Sequence, residues 1–476
     1  MNVLFATSEA RPYIASGGLA DVSGALPKAL CAAGADCRVI LPLYSDIPQN
    51  LREEMTFLES FTVRLSWREL YCGLFTAKKD GVVYYFVDNE YYFRRGGIYG
   101  HFDDGERFAF FSMAVLESIR HMGDFAPDVL HCNDWQTGLV PVFLEVFYHG
   151  DPKFSRIKTV FTIHTIQYQG DFDMFVAGDV AGLPEDKRSL VELGGRCNYM
   201  KGGIDRCDVV TTVSPTYAKE ILDPWYAWGL DGFLRERSYK LTGILNGIDC
   251  ESYDPEADPD IAAHFSADDL SGKAADKAAL QKEVGLCVDP SAMFIGMVGR
   301  LVSHKGIDLV EYVGDRIMNM NAQMVILGSG EPQYEEFFRR LGARYPGRVS
   351  VITGFVPPLA RRIYAGADVL LMPSKSEPCG LAQMIALRYG TVPIVRETGG
   401  LKDSIHDLGA PGGNGFTFKT YNAHDMLGAC NRAKIAYDDK PRWKALQKTA
   451  MESDFSWNVS AELYLGLYRE LTEQHT

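Results

Sequence analysis

Two series of short β-rich runs, each run followed by a helical pattern and those of the second nearly continuously apolar, constrain this chain more than any other feature. VLFATSE, CRVILPLY, DVLHCND, KTVFTIH and DVVTTVS form the first series; MFIGMVGRL, AQMVILGSG, VSVITGF, DVLLMPS and TVPIVRE form the second. A strand apolar on both faces must be covered on both, as a parallel sheet between two layers of helices allows. At 476 residues the chain exceeds one ordinary core, so two such α/β domains are expected. The first series is interrupted by FTVRLSW and LYCGLFTAKKDGVVYYFVDN, where Asp80-Gly81 between alternating runs signals a β-hairpin. From Asn246 to Asp289 the chain turns rich in Asp, Pro, Ser and Gly and reads as a connection. The expected division is therefore an N-terminal domain over 1–245, a C-terminal domain over 246–455 whose linker is 246–289, and a last segment over 456–476. That segment, SWNVSAELYLGLYRELTEQ, reads as an amphipathic helix with the N-terminal domain as one surface to pack on.

The formal charge of −14, from 48 Lys+Arg against 62 Asp+Glu, argues against nucleic acid or an anionic membrane as partner. A small anion held by a local cationic cluster remains compatible. MNVLFATSEARPY carries no basic leader, and no apolar stretch approaches the ~20 residues that span a bilayer, so a cytoplasmic protein is expected. Ten scattered cysteines without Cys-x-x-Cys spacing suggest neither a zinc site nor a redox dithiol. The pairs Asp171/Asp173 and Asp258/Asp260 fall in loop or linker, so no metal is expected either.

In open parallel sheets ligands bind beyond the carboxyl ends of the strands, and the unusual residues of this chain gather there. Gly17 and Gly18, in SGGLAD after the first strand, start a helix where a backbone can approach a phosphate; such a turn is also a common structural device. Arg300 and Lys305, in GRLVSHKGIDL, set two cations at the mouth of an apolar strand, as a diphosphate requires, or form a solvated surface pair. Glu377, in PSKSEPCGLAQ, sits in a turn fixed by Pro378 just before a helix. His164 ends VFTIH as either a catalytic or a hydrogen-bonded structural residue. Asp134-Trp135 offers a carboxylate and a stacking ring to a sugar, or a packed indole beside a cap. Facing sheets would bring these strand ends into one cleft. TGGLKD at Thr398 repeats the SGGLAD pattern late in the second series, where it reads as mainly structural.

Taken together, SGGLADVSGALPKAL, VLHCNDWQTGLVP, FTIHTIQYQG, TTVSPTYAKEI, GLDGFL, GILNGID, KAALQKEVGL, GRLVSHKGIDL, PSKSEPCGLAQMIALRYGTVPIVRETGGLKDSI and DFSWNVSA resemble the bacterial glycogen synthase and plant starch synthase family. The resemblance runs from Met1 to about Leu471 with the motifs in family order. It implies a GT-B fold, two Rossmann-like domains facing a deep cleft. The implied activity is retaining transfer of glucose from ADP-glucose to the non-reducing 4-OH of an α-1,4-glucan such as glycogen, with no cofactor or metal. By motif, Glu377, His164, Arg300 and Lys305 are the implied catalytic residues. Donor contacts would come from Ala15, Gly17, Gly18, Asp21, Asn246, Phe355, Cys379, Gly380 and Leu381. Acceptor contacts would come from Tyr99, Asp134, Trp135 and His164. Homo-oligomerisation stays open.

Two departures stand out. Ala15 occupies the position where the family usually carries Lys, and Thr165 replaces the family's Asn after the strand-end His. They keep two other readings open: the same enzyme using UDP-glucose, or a weakly active glucan-binding paralogue. Phe355 stands where the family often has Tyr near the base. A dinucleotide oxidoreductase fits worst, since neither domain shows Gly-x-Gly-x-x-Gly with an acidic residue ~20 positions on.

Overall fold

A computed structural model describes residues 1–473. The chain divides into two units: unit 1 gathers Met1–Val213, Ala218–Ile244 and the C-terminal residues from Trp457, and unit 2 gathers Ser214–Tyr217 and Leu245–Ser456.

Unit 1 is built on a nine-stranded sheet. Its order runs Leu241–Gly243, Val209–Thr212, Lys158–Ile163, Val129–Asn133, Asn2–Ala6, Asp36–Pro42, Val82–Asp88, Arg68–Lys79 and Thr56–Leu65. All neighbours are parallel except the last two pairings, a three-stranded antiparallel meander in which the expected hairpin joins Arg68–Lys79 to Val82–Asp88 and a second turn joins Thr56–Leu65 to Arg68–Lys79. Asp80 and Gly81 both take positive φ (48° and 82°), the primed-turn geometry that follows the twist of paired strands. The hairpin therefore widens the main sheet at one edge. The first strand lies between the second and that of Val129–Asn133, so the winding reverses beside it and the loops after these strands diverge into a crevice.

Unit 2 carries a six-stranded, all-parallel sheet ordered Val349–Thr353, Ala322–Gly328, Met293–Val298, Val369–Met372, Val392–Arg396 and Phe416–Phe418. The near-continuous apolar runs follow from burial on both faces. Met293, Ile295, Met324 and Ile326 pack on one side against Val310, Val313 and Ala433; Phe294, Val325 and Leu327 pack on the other against Leu280 and Ile363.

The stretch 246–289, expected as a linker, is largely packed structure. The helix Ser271–Glu283 lies against Pro357–Gly366 and buries Lys273 and Lys277. Lys277 Nζ pairs with Asp368 at 2.7 Å, while Lys273 Nζ donates to the Ala365 and Tyr389 carbonyls. Polar composition misleads here because those long side chains cross the helix–sheet layer to reach carbonyl acceptors. The C-terminal helix Trp457–Glu473 packs on Gly18–Ala32, and its buried Tyr468 hydroxyl meets His131 Nδ1 at 2.6 Å.

Candidate active site

Unit 2 holds the acidic and cationic group. The loops after Met293–Val298 and Val369–Met372, the strands beside which the winding reverses, are stitched together by the Lys375 N–H on the His304 carbonyl. Lys305 Nζ reaches Glu377 Oε2 at 2.6 Å, and Ser374 Oγ donates to the same oxygen at 3.0 Å. Gly306 is required where these loops touch: its φ is 76°, and a Cβ there would lie 2.0 Å from the Pro373 carbonyl oxygen. A small cavity opens between the two strand ends, lined by Gly299, Arg300, Lys305, Pro373 and Ser374 among others. Arg300 is exposed and makes no hydrogen bond or ion pair among the described residues, so its whole guanidinium fork faces solvent at the cavity. Desolvation, with the Lys305 charge second, pushes the neighbouring His304 below its usual value.

Asn246 is buried beside this loop, its Oδ1 without a partner, and its backbone N–H meets the Cys379 thiol. Cys379 itself is buried and pushed up to about 12 by desolvation, an inert thiol. Phe355 is 89% exposed and touches none of these groups through any hydrogen bond. Thr398 to Asp403 has a clear structural task. A Cβ on Gly400 would stand 2.0 Å from the Cys379 oxygen and one on Gly399 1.9 Å from the Glu377 oxygen, so only glycines let this turn press against the Glu377 loop.

Unit 1 holds a second group at its own strand ends. Ala15, Ser16, Gly17 and Gly18 are exposed, and a Cβ on either glycine would meet nothing within 4 Å. Their openness is toward solvent, the opposite of Gly399 and Gly400. Asp21 binds Arg11 Nε at 2.5 Å and so fixes the turn from its flank. The loop's main anchor, Glu9, escaped the sequence reading: its buried Oε2 accepts the Ser16 N–H at 2.8 Å and the Ser16 hydroxyl at 2.6 Å. Burial raises the Glu9 carboxyl, and the Ser16 bonds offset part of that rise. The available signal was an acidic residue directly after a buried strand and before a glycine turn.

His164 Nε2 lies 2.8 Å from Asn133 Oδ1. Because Asn133 Nδ2 donates to the Ala6 carbonyl, its Oδ1 is the acceptor, and His164 carries its proton on Nε2. Desolvation lowers His164 to about 3, so the ring is neutral. Asp134 Oδ1 accepts the His164 N–H at 2.7 Å and the Thr165 N–H at 3.3 Å. Tyr99 is half-buried, its hydroxyl 2.6 Å from Ser8 Oγ. Trp135 departs from the expected sugar platform. It is 8% exposed, ringed by Phe108, Phe172 and Tyr199, and a Cβ on Gly170 would overlap its ring at 2.4 Å, so its faces are taken by the core.

Among the described residues no three His, Cys, Asp or Glu side chains converge as metal ligands, and no helix is long and apolar enough to cross a membrane.

Residues 2–236 match the starch synthase catalytic domain model, and residues 288–445 match that of glycosyl transferases group 1. A glycogen synthase of Bacillus cereus (strain B4264) is 50% identical over 99% of this chain and 100% of its own length. One from Desulforamulus reducens is 49% identical over 99% of both chains. The catalytic domain of starch synthase IV from Arabidopsis thaliana, solved with ADP and acarbose bound, superposes with a TM-score of 0.87 at 34% identity, covering 99% of each chain. A sucrose-phosphate synthase from Thermosynechococcus elongatus, at 17% identity, TM-score 0.61 and 99% coverage of both, shares the fold alone. Two Rossmann-like parallel sheets of the GT-B kind, a Lys-Glu pair at the strand ends and full-length identity of this order together place the chain in the glycogen synthase and starch synthase family of glycosyltransferases.

Proposed function

We propose that this glycosyltransferase moves glucose from ADP-glucose to the non-reducing 4-OH of an α-1,4-glucan, with retention and without a metal ion. The observation that carries the reading is the Lys305–Glu377 pair at 2.6 Å, set at the mouth of the cavity beside the unpaired Arg300 fork. Cleaving a glucosyl–diphosphate bond builds negative charge on the leaving group. Fixed cations at that point stabilise the transition state more than the ground state, so Arg300 and Lys305 act on the diphosphate. Two donors on Glu377 Oε2 hold that carboxylate as an electrostatic partner of the sugar as it gains positive character, rather than as a nucleophile. Transfer on one face of the sugar follows, and trapping a glucosylated side chain during turnover would defeat it.

Gly17 and Gly18 give the donor's phosphates an uncovered backbone. Neutral His164 serves as a hydrogen-bonding group at the reacting sugar, and Asp134 holds its loop. Tyr99 borders the acceptor. The relative from Arabidopsis thaliana, solved with ADP and acarbose, supports an adenine nucleotide donor and a glucan-like acceptor. A second reading, UDP-glucose as donor, is favoured by exposed Ala15, which supplies no cation beside the glycine turn.

The test incubates the protein with glycogen and either ADP-glucose or UDP-glucose, with and without EDTA, and follows nucleotide release and chain lengthening. ADP-glucose turnover insensitive to EDTA is expected. Preference for UDP-glucose overturns the donor, loss with EDTA overturns the metal-free step, and turnover with neither donor overturns the reading itself.

A further inference from the structure

The loop after Val369–Met372 has its carbonyls drawn inward one after another. The Gly400 N–H donates to both the Glu377 and the Pro378 oxygens at 3.1 Å, and Gln383 Nε2 donates to both the Cys379 and the Gly380 oxygens at 3.0 Å. In a trans peptide the C=O of one residue and the N–H of the next point in opposite directions. A side chain that grips the Cys379 and Gly380 carbonyls from inside therefore turns the Gly380 and Leu381 N–H groups the other way. Both residues are half-buried at the start of the helix Ala382–Arg388, and neither N–H has an acceptor among the described residues, so both stay free for a ligand.

We propose that Gln383 is a positioning residue that aims the Gly380 and Leu381 N–H groups at an oxyanion of the donor's diphosphate, beside Glu377. Gln383 is fully buried and touches no ligand itself. The position needs two N–H donors on one atom and no charge, which among side chains only an amide supplies. Gln383 and Gly380 are matched to one another: Gly380 has φ 73°, and a Cβ there would lie 2.6 Å from Gln383 Oε1. That Oε1 is buried without a partner, while Nε2 serves Cys379, Gly380 and Ser404. A residue kept for stability alone would be expected to satisfy both ends. This inference rests on the diphosphate donor proposed above.

Two variants test it. Gln383→Met keeps the shape and removes both donors; Gln383→Glu keeps the shape and can donate once, only when protonated. ADP affinity is measured by calorimetry, glucan affinity separately, and thermal midpoint alongside. Losing hydrogen bonds to a charged ligand is expected to weaken ADP binding about tenfold or more in Gln383→Met, with glucan affinity unchanged. In Gln383→Glu, ADP affinity relative to the unmodified protein should recover as pH falls, because the acid form regains an O–H donor. ADP affinity within twofold in both variants would overturn the proposal. So would parallel loss of ADP and glucan binding tracking the thermal midpoint, which marks a merely structural role. If the unmodified protein binds and turns over ADP-glucose while both variants are indifferent, only the Gln383 assignment fails; if the unmodified protein does neither, the donor reading fails.

Discussion

Asp134 takes a positive φ of 57°, a conformation a β-branched or bulky residue would resist, and from there its Oδ1 receives two successive backbone N–H groups. Desolvation pushes its carboxyl up to about 7, against the lowering effect of those two bonds. A raised value means the neutral acid forms as pH falls through about 7, and a neutral oxygen holds the His164 loop less firmly than a carboxylate. The stability sign is opposite: this group favours the fold at low pH and loses that contribution as pH rises through about 7. The expected outcome is a fall in glucan kcat/KM on the acid side of a profile measured from about pH 5.5 to 8.5. In Asp134→Asn that limb disappears, because the amide oxygen accepts the same bonds without titrating. His131 and His164, both lowered to about 3 by burial, do not titrate in that range and cannot produce the limb. At this scale the sequence reading located Glu377, Lys305, His164 and Asp134 by their place after strands. It missed Glu9, whose place between a strand and a glycine turn does not name its partner 7 residues on, and Gln383, whose contacts from the buried side of a helix leave no pattern along the chain; it left Trp135 open between sugar platform and packed indole, which burial decides for the core.

The two Gly-Gly turns make the same point for elements. SGGLAD and TGGLKD share residues, and each starts a helix after a strand of its own sheet. The structure separates them: the first glycines are open to solvent, while the second pair touches the backbone of the Glu377 loop. Gly17→Ala is expected to change stability by less than ~0.5 kcal/mol while raising the donor KM, since a methyl there meets only the ligand. Gly400→Ala is expected to cost ~2 kcal/mol or more in unit 2 and to lower kcat, because its Cβ would displace the Cys379 carbonyl that Gln383 also holds. Chemical denaturation of each variant beside steady-state kinetics reads both effects. Equal stability losses in the two variants would show that the turns are equivalent after all.

For the whole molecule, the last helix belongs to the unit built from the first residues of the chain. Tyr464, Leu465 and Tyr468 are buried in unit 1, and the Tyr468 hydroxyl completes a chain through His131 to Thr162 and Thr211. Truncation before Trp457 should therefore lower the calorimetric transition of unit 1 and leave that of unit 2 in place. Tyr468→Phe, which strips one partner from a fully buried imidazole, should reproduce part of the shift at a cost of about 1–3 kcal/mol. A truncated chain with both transitions unmoved would remove the helix from the stability of unit 1.

By itself the sequence determined the fold class, the two sheets and the strand-end positions of Lys305, Glu377 and His164. Burial on both faces of a parallel strand demands an apolar run, and such a run is visible in one dimension. Only the tertiary structure decided that 246–289 is packed helix and loop, that Trp135 is core, that the two glycine turns face different surroundings, and that Glu9 and Gln383 hold the loops in shape. Those are contacts between segments distant in the chain or hidden beneath it, and they depend on which atoms fill the space around a residue rather than on which residue it is.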